Sequence, residues 1–205
     1  MELALVQDSD RAGLGDGSED GKAVCTETVG YYVRLGSKPP VPNVHIGDLD
    51  PLHAVGPGHS PSDERHYFSP HVNAPQKDRT NEGKTLRLRG KDYERGLGVH
   101  APNRMIYALK PQYDRFVGLA GVDEHILDEA NGADVAMYPS VVFRVFMDGE
   151  LAAESPVMRI SFEPWRFDVK IPAGVRIISL CATDAGDGNR HDLANWVNTG
   201  FVLNK

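Results

Sequence analysis

The stretch Cys181-Ala-Thr-Asp-Ala-Gly-Asp-Gly-Asn-Arg-His-Asp-Leu-Ala-Asn-Trp-Val-Asn-Thr-Gly-Phe201 decides how the chain is read. It is preceded by Val175-Arg-Ile-Ile-Ser-Leu-Cys-Ala182, rich in β-branched and aliphatic residues, which predicts a strand with apolar side chains on both faces, buried inside a sandwich. That strand stops at Asp184, where Asp184, Asp187 and Asn189 alternate with Gly186 and Gly188. Glycine's freedom at positive φ lets such a backbone turn tightly and aim several side-chain oxygens at one point. The same residues also suit an ordinary Asx turn that closes a hairpin.

Working outward, the rest of the chain is a series of short strand signals separated by Gly and Pro. Thr85-Leu-Arg-Leu-Arg89 alternates strictly, Gly96-Leu-Gly-Val-His-Ala-Pro102 follows, and Met105, Tyr107 and Leu109 alternate with Arg104, Ile106 and Ala108. Arg115-Phe-Val-Gly-Leu-Ala-Gly-Val122 is apolar on both faces. Ser140-Val-Val-Phe-Arg-Val-Phe-Met147 is the strongest strand signal, and Asp148-Gly149 reads as its hairpin turn. Trp165, Phe167, Val169 and Ile171 alternate with polar residues. No stretch carries apolar spacing of 3.6 residues over three turns, so the expected fold is an all-β, antiparallel β-sandwich.

Composition sets limits. The 205 residues are 40% hydrophobic and 25% charged, enough for one full core. A net charge of -7 argues against nucleic acid or an anionic membrane as a partner. No apolar run approaches the roughly 20 residues of a membrane span, and Met1 to Asp8 lacks the pattern of a signal peptide. The Gly/Asp/Ser-rich run after Asp8 marks residues 1–42 as an extension or linker, with Val29 to Leu35 as one candidate edge strand, and residues 43–205 as the module. The two cysteines, Cys25 and Cys181, are too few for a disulfide scaffold; Cys181 reads as a buried thiol, and its pairing with Cys25 stays open. His53, His59, His66 and His71 share one loop, but their spacing matches no zinc motif, so a surface loop is expected.

Four fragments in order carry a family resemblance: Asp78-Arg-Thr-Asn-Glu-Gly-Lys-Thr-Leu86, Arg95-Gly-Leu-Gly-Val-His-Ala-Pro102, Gly121-Val-Asp123, and Thr183-Asp-Ala-Gly-Asp-Gly-Asn189 with Trp196. Together they resemble the NPCBM family, related to the family 51 carbohydrate-binding modules of bacterial glycoside hydrolases. The resemblance implies a jelly-roll-like, galactose-binding-like sandwich that grips sugar without reacting with it, and usually carries a structural calcium. It further implies a piece of a larger, secreted multidomain protein.

Sugars are held by planar polar side chains and an aromatic ring against the C–H face of the pyranose. On that basis the expected carbohydrate-binding residues are His100, Asp123, Glu124, Asn189, Arg190, His191, Asn195 and Trp196. Two of these keep a structural alternative, His100 as a hydrogen-bonded strand histidine and Trp196 as a core anchor. Asp184, Asp187 and Asp192 are the candidates for calcium, which only the resemblance supports. Adjacent Asp123 and Glu124 lack the cleft-spanning separation that glycosidase chemistry needs, and no nucleophile elbow, phosphate loop or zinc-protease helix occurs. The function that the resemblance implies is a non-catalytic module for a galactose-like or related glycan, targeting an attached enzyme or surface protein. The family pattern Asp-His-Ala-Asp-Trp-Ala-Asp is here Asp192-Leu-Ala-Asn-Trp-Val-Asn198. These changes leave open a structural or protein-interaction sandwich whose sugar site has decayed.

Overall fold

A computed structural model describes residues 39–56, 75–128 and 136–204. The expected strand over Val29–Leu35, Cys25, and the histidines at 59, 66 and 71 lie outside the described residues, as do residues 129–135 of the acidic connection.

The sandwich consists of two antiparallel sheets. The first joins β11 (Trp165–Lys170), β8 (Tyr113–Val122), β13 (Leu193–Leu203), β6 (Gly96–His100) and β3 (Gln76–Lys77), with β1 (Val44–His45) pairing the far end of β13. The second runs β10 (Glu150–Glu154), β9 (Val142–Met147), β12 (Ile177–Thr183), β7 (Asn103–Ala108) and β2 (His53–Val55). β4 (Leu86–Leu88) and β5 (Lys91–Tyr93) form a separate hairpin. The only helical turns among the described residues are 3-10 turns at Ile46–Asp48 and Glu124–Asp128.

Side-chain alternation decides what fills the space between the sheets. From β8 come Phe116, Ala120 and Val122, from β13 Ala194, Trp196 and Phe201, from β9 Phe143 and Val145, and from β12 Ile178, Leu180 and Ala182, all buried. Trp196 is the largest fully buried side chain and the hub of the aromatic packing. Phe143 meets its face edge-on at 5.0 Å and 85°, and Phe116 and Phe167 lie at 6.3 Å and 5.2 Å.

β13 is buried on both faces because the first sheet has a cover of its own. Residues 78–84 and the β4–β5 hairpin lie over its outer side, where Leu86, Leu88 and Tyr93 pack on Val197 and Leu119. Close approach of that cover requires glycine at 98: a Cβ there would fall 2.3 Å from the Arg79 carbonyl oxygen and the Thr80 carbonyl carbon. The two-faced burial expected for β12 has a different cause. Its outward residues Ser179 and Cys181 lie under arginine side chains rather than a protein layer; Arg104 donates to the Ser179 hydroxyl at 3.3 Å, and Arg144 to that of Thr183 at 3.2 Å. Cys181 is a free, buried thiol. At the β9–β10 turn, Asp148 and Gly149 both take positive φ, 48° and 93°, as a two-residue hairpin between right-twisted strands requires.

Candidate functional site: a polar rim at the head of β13

The connection from β12 to β13 is a compact loop with positive φ at Ala185, Gly186, Gly188 and His191. Asp184 caps its own turn by accepting from the Gly186 N–H at 3.2 Å. At its far end Asp192 is fully buried. Its backbone carbonyl accepts from the Ala101 N–H at 3.0 Å, and its carboxylate accepts from the Ser140 N–H at 2.8 Å. Ser140 also donates its hydroxyl to Asp187 at 2.5 Å. Arg159 completes the join: Nη1 donates to the carbonyls of Met137, Tyr138 and Pro139 at 3.2, 3.3 and 3.1 Å, while Nη2 lies 3.7 Å from the Asp187 carboxylate. A strap at residues 136–140 is thus riveted to the loop at 184–192.

The exposed side of this joint is a small aromatic and cationic platform. Tyr138 is 42% exposed, with the Arg190 guanidinium 4.5 Å from its ring centroid and the His191 ring stacked at 6.2 Å and 25°. Asn189 and Arg190 are exposed, and His191 is half-buried. His100, half-buried at the end of β6, holds Nδ1 2.8 Å from the Ala101 carbonyl. Burial pushes its pKa down, and the nearby His191 adds to the shift, so His100 favours the neutral form that can both donate and accept. The rim therefore gathers four of the expected sugar-contacting residues: His100, Asn189, Arg190 and His191.

The other four lie elsewhere, and each has a physical reason. Trp196 cannot face a sugar, because its position in β13 turns it into the gap between the sheets at 0% exposure. Asn195 points the opposite way but is equally buried beneath the hairpin, where Nδ2 donates to the Arg87 carbonyl at 3.4 Å. Asp123 is buried beside it and accepts from the His125 N–H at 3.2 Å; burial pushes its carboxyl up to about 6. Glu124 accepts from the Gly90 N–H, pinning the β4–β5 turn. These residues bind the cover to the sheet. His125, which the sequence reading did not single out, does the same: its ring contacts the Thr85 carbonyl through Nε2 at 2.7 Å and the Asp128 carboxylate through Nδ1 at 2.8 Å. Asp128 is held below the usual carboxylate range by that hydrogen bond.

Asp184, Asp187 and Asp192 are neighbours but do not converge as calcium's six to eight oxygen ligands demand. Asp187 faces Ser140 and Arg159, Asp184 faces its own turn, and only Asp192 keeps a buried oxygen, Oδ2, without a partner. Among the described residues no group of three or more His, Cys, Asp or Glu side chains is placed to hold a metal. The arrangement does not fit calcium held by these three carboxylates. Burial, together with Asp187 and Asp184 nearby, instead pushes Asp192 up to about 7.

Tyr138, Ser140 and Arg159 are the rim residues that sequence reasoning missed. Ser140 lies 47 and 52 residues from its two aspartate partners, and no local spacing reports such a pairing.

The two-sheet, jelly-roll-like sandwich is that of a carbohydrate-binding accessory module, the class to which the comparisons assign it. The chain belongs to the NPCBM/NEW2 domain family, which it matches over residues 62–202. It is 25% identical over 187 residues to a protein of Renibacterium salmoninarum carrying an endo-alpha-N-acetylgalactosaminidase name, covering 88% of this chain and 11% of that protein. It is 32% identical over 127 residues to alpha-1,3-galactosidase B of Akkermansia muciniphila, covering 60% of this chain and 15% of that enzyme. A solved structure of CBM51-2 with GlcNAc and the INT domains of Clostridium perfringens ZmpB is similar at a TM-score of 0.62 and 28% identity, over 77% of this chain and 30% of that one. The chain thus spans a small part of the length of the curated relatives it matches. Among the described residues no helix is long and apolar enough to cross a membrane.

Proposed function

We propose that the rim around Tyr138 holds a galactose-type residue of a glycan, that the module itself performs no reaction, and that it keeps an attached catalytic domain close to an extracellular polysaccharide or glycoprotein. The observation that carries this reading is the grouping of Tyr138, Arg190, His191 and His100 at one exposed edge. The tyrosine, with exposed Met137 beside it, offers apolar surface to the C–H face of a sugar, and the flanking side chains offer donors and acceptors to its hydroxyls. The names of the relatives, an alpha-1,3-galactosidase and an N-acetylgalactosaminidase, favour galactose or its N-acetylated amine among hexoses.

Of the departures from the family pattern, Asn195 is buried beneath the hairpin and Asn198 sits beyond Trp196, so neither removes a group from the rim, whereas Leu193 pairs with His100 across the strands and puts an apolar side chain where the family pattern has an imidazole.

The test is calorimetric titration with methyl-galactose and N-acetylgalactosamine, using wild-type protein and the Tyr138→Ala and Arg190→Ala variants. Millimolar-range binding of either sugar that falls at least tenfold in both variants, at unchanged melting temperature, supports the proposal. Saccharide binding that ignores both substitutions, or no binding by folded protein, overturns it.

A further inference from the structure

Beside the β4–β5 hairpin, on the outer side of the first sheet, lies a cavity of about 340 Å³ where Tyr93, Leu119 and Pro164 meet Pro39, Pro40 and Val41. We propose that it is the docking site of the chain's own residues 29–35, which pair with β5 as a third strand of the cover and lay their apolar side over the cavity. Docking there is independent of sugar at the rim.

Four observations select that occupant. The first is an open edge. β5 pairs with β4 on one side, and among the described residues no strand pairs with its other side. The cavity lies against β5, which lines it through Lys91 and Tyr93. A two-stranded hairpin is marginal by itself, and an unpaired edge is a template for a further strand.

The second is uncovered apolar surface. Val41 is 80% exposed at the cavity wall, and Leu119 of β8 is only half-buried at its floor. The third is the pattern of Val29-Gly-Tyr-Tyr-Val-Arg-Leu35. Val29, Tyr31, Val33 and Leu35 recur at a period of two, with Gly30, Tyr32 and Arg34 between them, which is the alternation of a strand with one buried face.

The fourth is position along the chain. Pro39 lines the cavity, so Lys38 stands one peptide from its wall, about 3.8 Å between Cα atoms. Gly36-Ser-Lys38 supplies a short turn back toward β5. Leu3, Leu5 and Val6 are the rival apolar residues upstream. Their return would close a loop of roughly 35 residues instead of about 5, an event roughly twentyfold less probable. A segment on so short a tether acts at about millimolar effective concentration, ahead of a free partner.

The experiment is hydrogen exchange and ¹⁵N NMR on the full chain, comparing wild type with Tyr31→Ser and Tyr32→Ser. Adjacent residues of a strand face opposite ways, so only the first substitution should loosen the docked segment. In wild type, amides within residues 29–35 should exchange about tenfold or more slower than those of an unstructured chain. Tyr31→Ser should speed them about fivefold or more and move the amides of Lys91, Tyr93 and Leu119, whereas Tyr32→Ser leaves both unchanged. Unprotected amides at 29–35 in wild type, or equal responses to the two substitutions, overturn the proposal. So does protection of 29–35 with Tyr93 and Leu119 unmoved by Tyr31→Ser, which would put the segment elsewhere. Shifts at Tyr93 and Leu119 that depend on protein concentration would give the cavity to a second copy and overturn it as well.

Discussion

The backbone N–H of Ser140 reaches 2.8 Å across to the carboxylate of Asp192, joining two segments that are 52 residues apart in the chain. This bond and the Ser140 hydroxyl's bond to Asp187 fix the strap carrying Tyr138 against the loop carrying Arg190 and His191. The platform is therefore a product of tertiary contact, and four predictions test the parts on which it and the scaffold depend.

Asp192 makes stability depend on pH. Its carboxyl is raised to about 7 in the folded protein, mainly by burial, so the native state binds more protons than the unfolded chain from about pH 4 to pH 7. Stability from this group is therefore fullest below the unfolded pKa and declines as pH rises to about 7; Asp123, raised to about 6, acts in the same direction. Asp192→Asn keeps an oxygen for the Ser140 N–H and removes the charge. Urea denaturation should show the variant's stability relative to wild type rising by about 2–3 kcal/mol between pH 5 and pH 8, with the variant the more stable at pH 8. Equal stabilities at pH 8 would refute the assignment.

Trp196 should matter to folding and not to sugar. Trp196→Ala removes the hub between Phe143, Phe116 and Phe167 and should cost about 3–5 kcal/mol. Trp196→Phe, which keeps a ring in the gap, should cost about 1–2 kcal/mol and leave saccharide affinity within twofold of wild type. A tenfold loss of affinity in the folded Phe variant would return Trp196 to the binding surface.

Gly98 and Gly121 both face the cover of the first sheet, yet they should respond differently to a methyl group. At 98 the obstacle is main chain at 2.3 Å, which cannot yield, so Gly98→Ala should destabilise by more than about 3 kcal/mol. At 121 the nearest atom is the end of the Leu88 side chain at 3.0 Å, which can rotate, and the cost should stay below about 1.5 kcal/mol. Comparable melting temperatures for the two variants would contradict this account of the cover.

His125 ties the turn after β8 to the segment before β4 through two acceptors. His125→Gln, which retains one donor group, should lose about half of what His125→Ala loses, with the Ala variant costing about 2 kcal/mol. The difference should show in hydrogen exchange as faster opening of residues 85–93, with little change in β9 and β12. Uniform acceleration through both sheets would show that the hairpin is no separate unit.

Much of this architecture was legible in the chain. Period-2 alternation in Trp165–Ile171 and Leu86–Leu88 placed one face inward, and the Asp148-Gly149 turn fixed a hairpin. What alternation cannot say is whether the outward face is covered too. That is why Asn195 and Asp123, polar residues on a strand and at a strand end, read as ligands of a sugar although a third layer lies over them. Trp196 was ambiguous for a related reason: a tryptophan after a polar loop suits either a core or a sugar, and only the strand's rotation decides. The loop at 184–192 was recognisable from its Asp, Asn and Gly content, whereas its partners Tyr138, Ser140 and Arg159 were not, since long-range contact leaves no trace in local spacing.

The pairing of β1 with the far end of β13 has one more consequence. Asn43 donates its N–H to the Phe201 carbonyl and accepts at its side chain from the Leu203 N–H, so the entry and exit of the sandwich lie side by side. Tyr138 and its neighbours sit at the other end of β13, an eleven-residue strand spanning roughly 33 Å. The chain thus joins the sheet at Asn43 and leaves it at Leu203 on the pole opposite Tyr138, so the rim is borne by the end of the sandwich remote from both junctions.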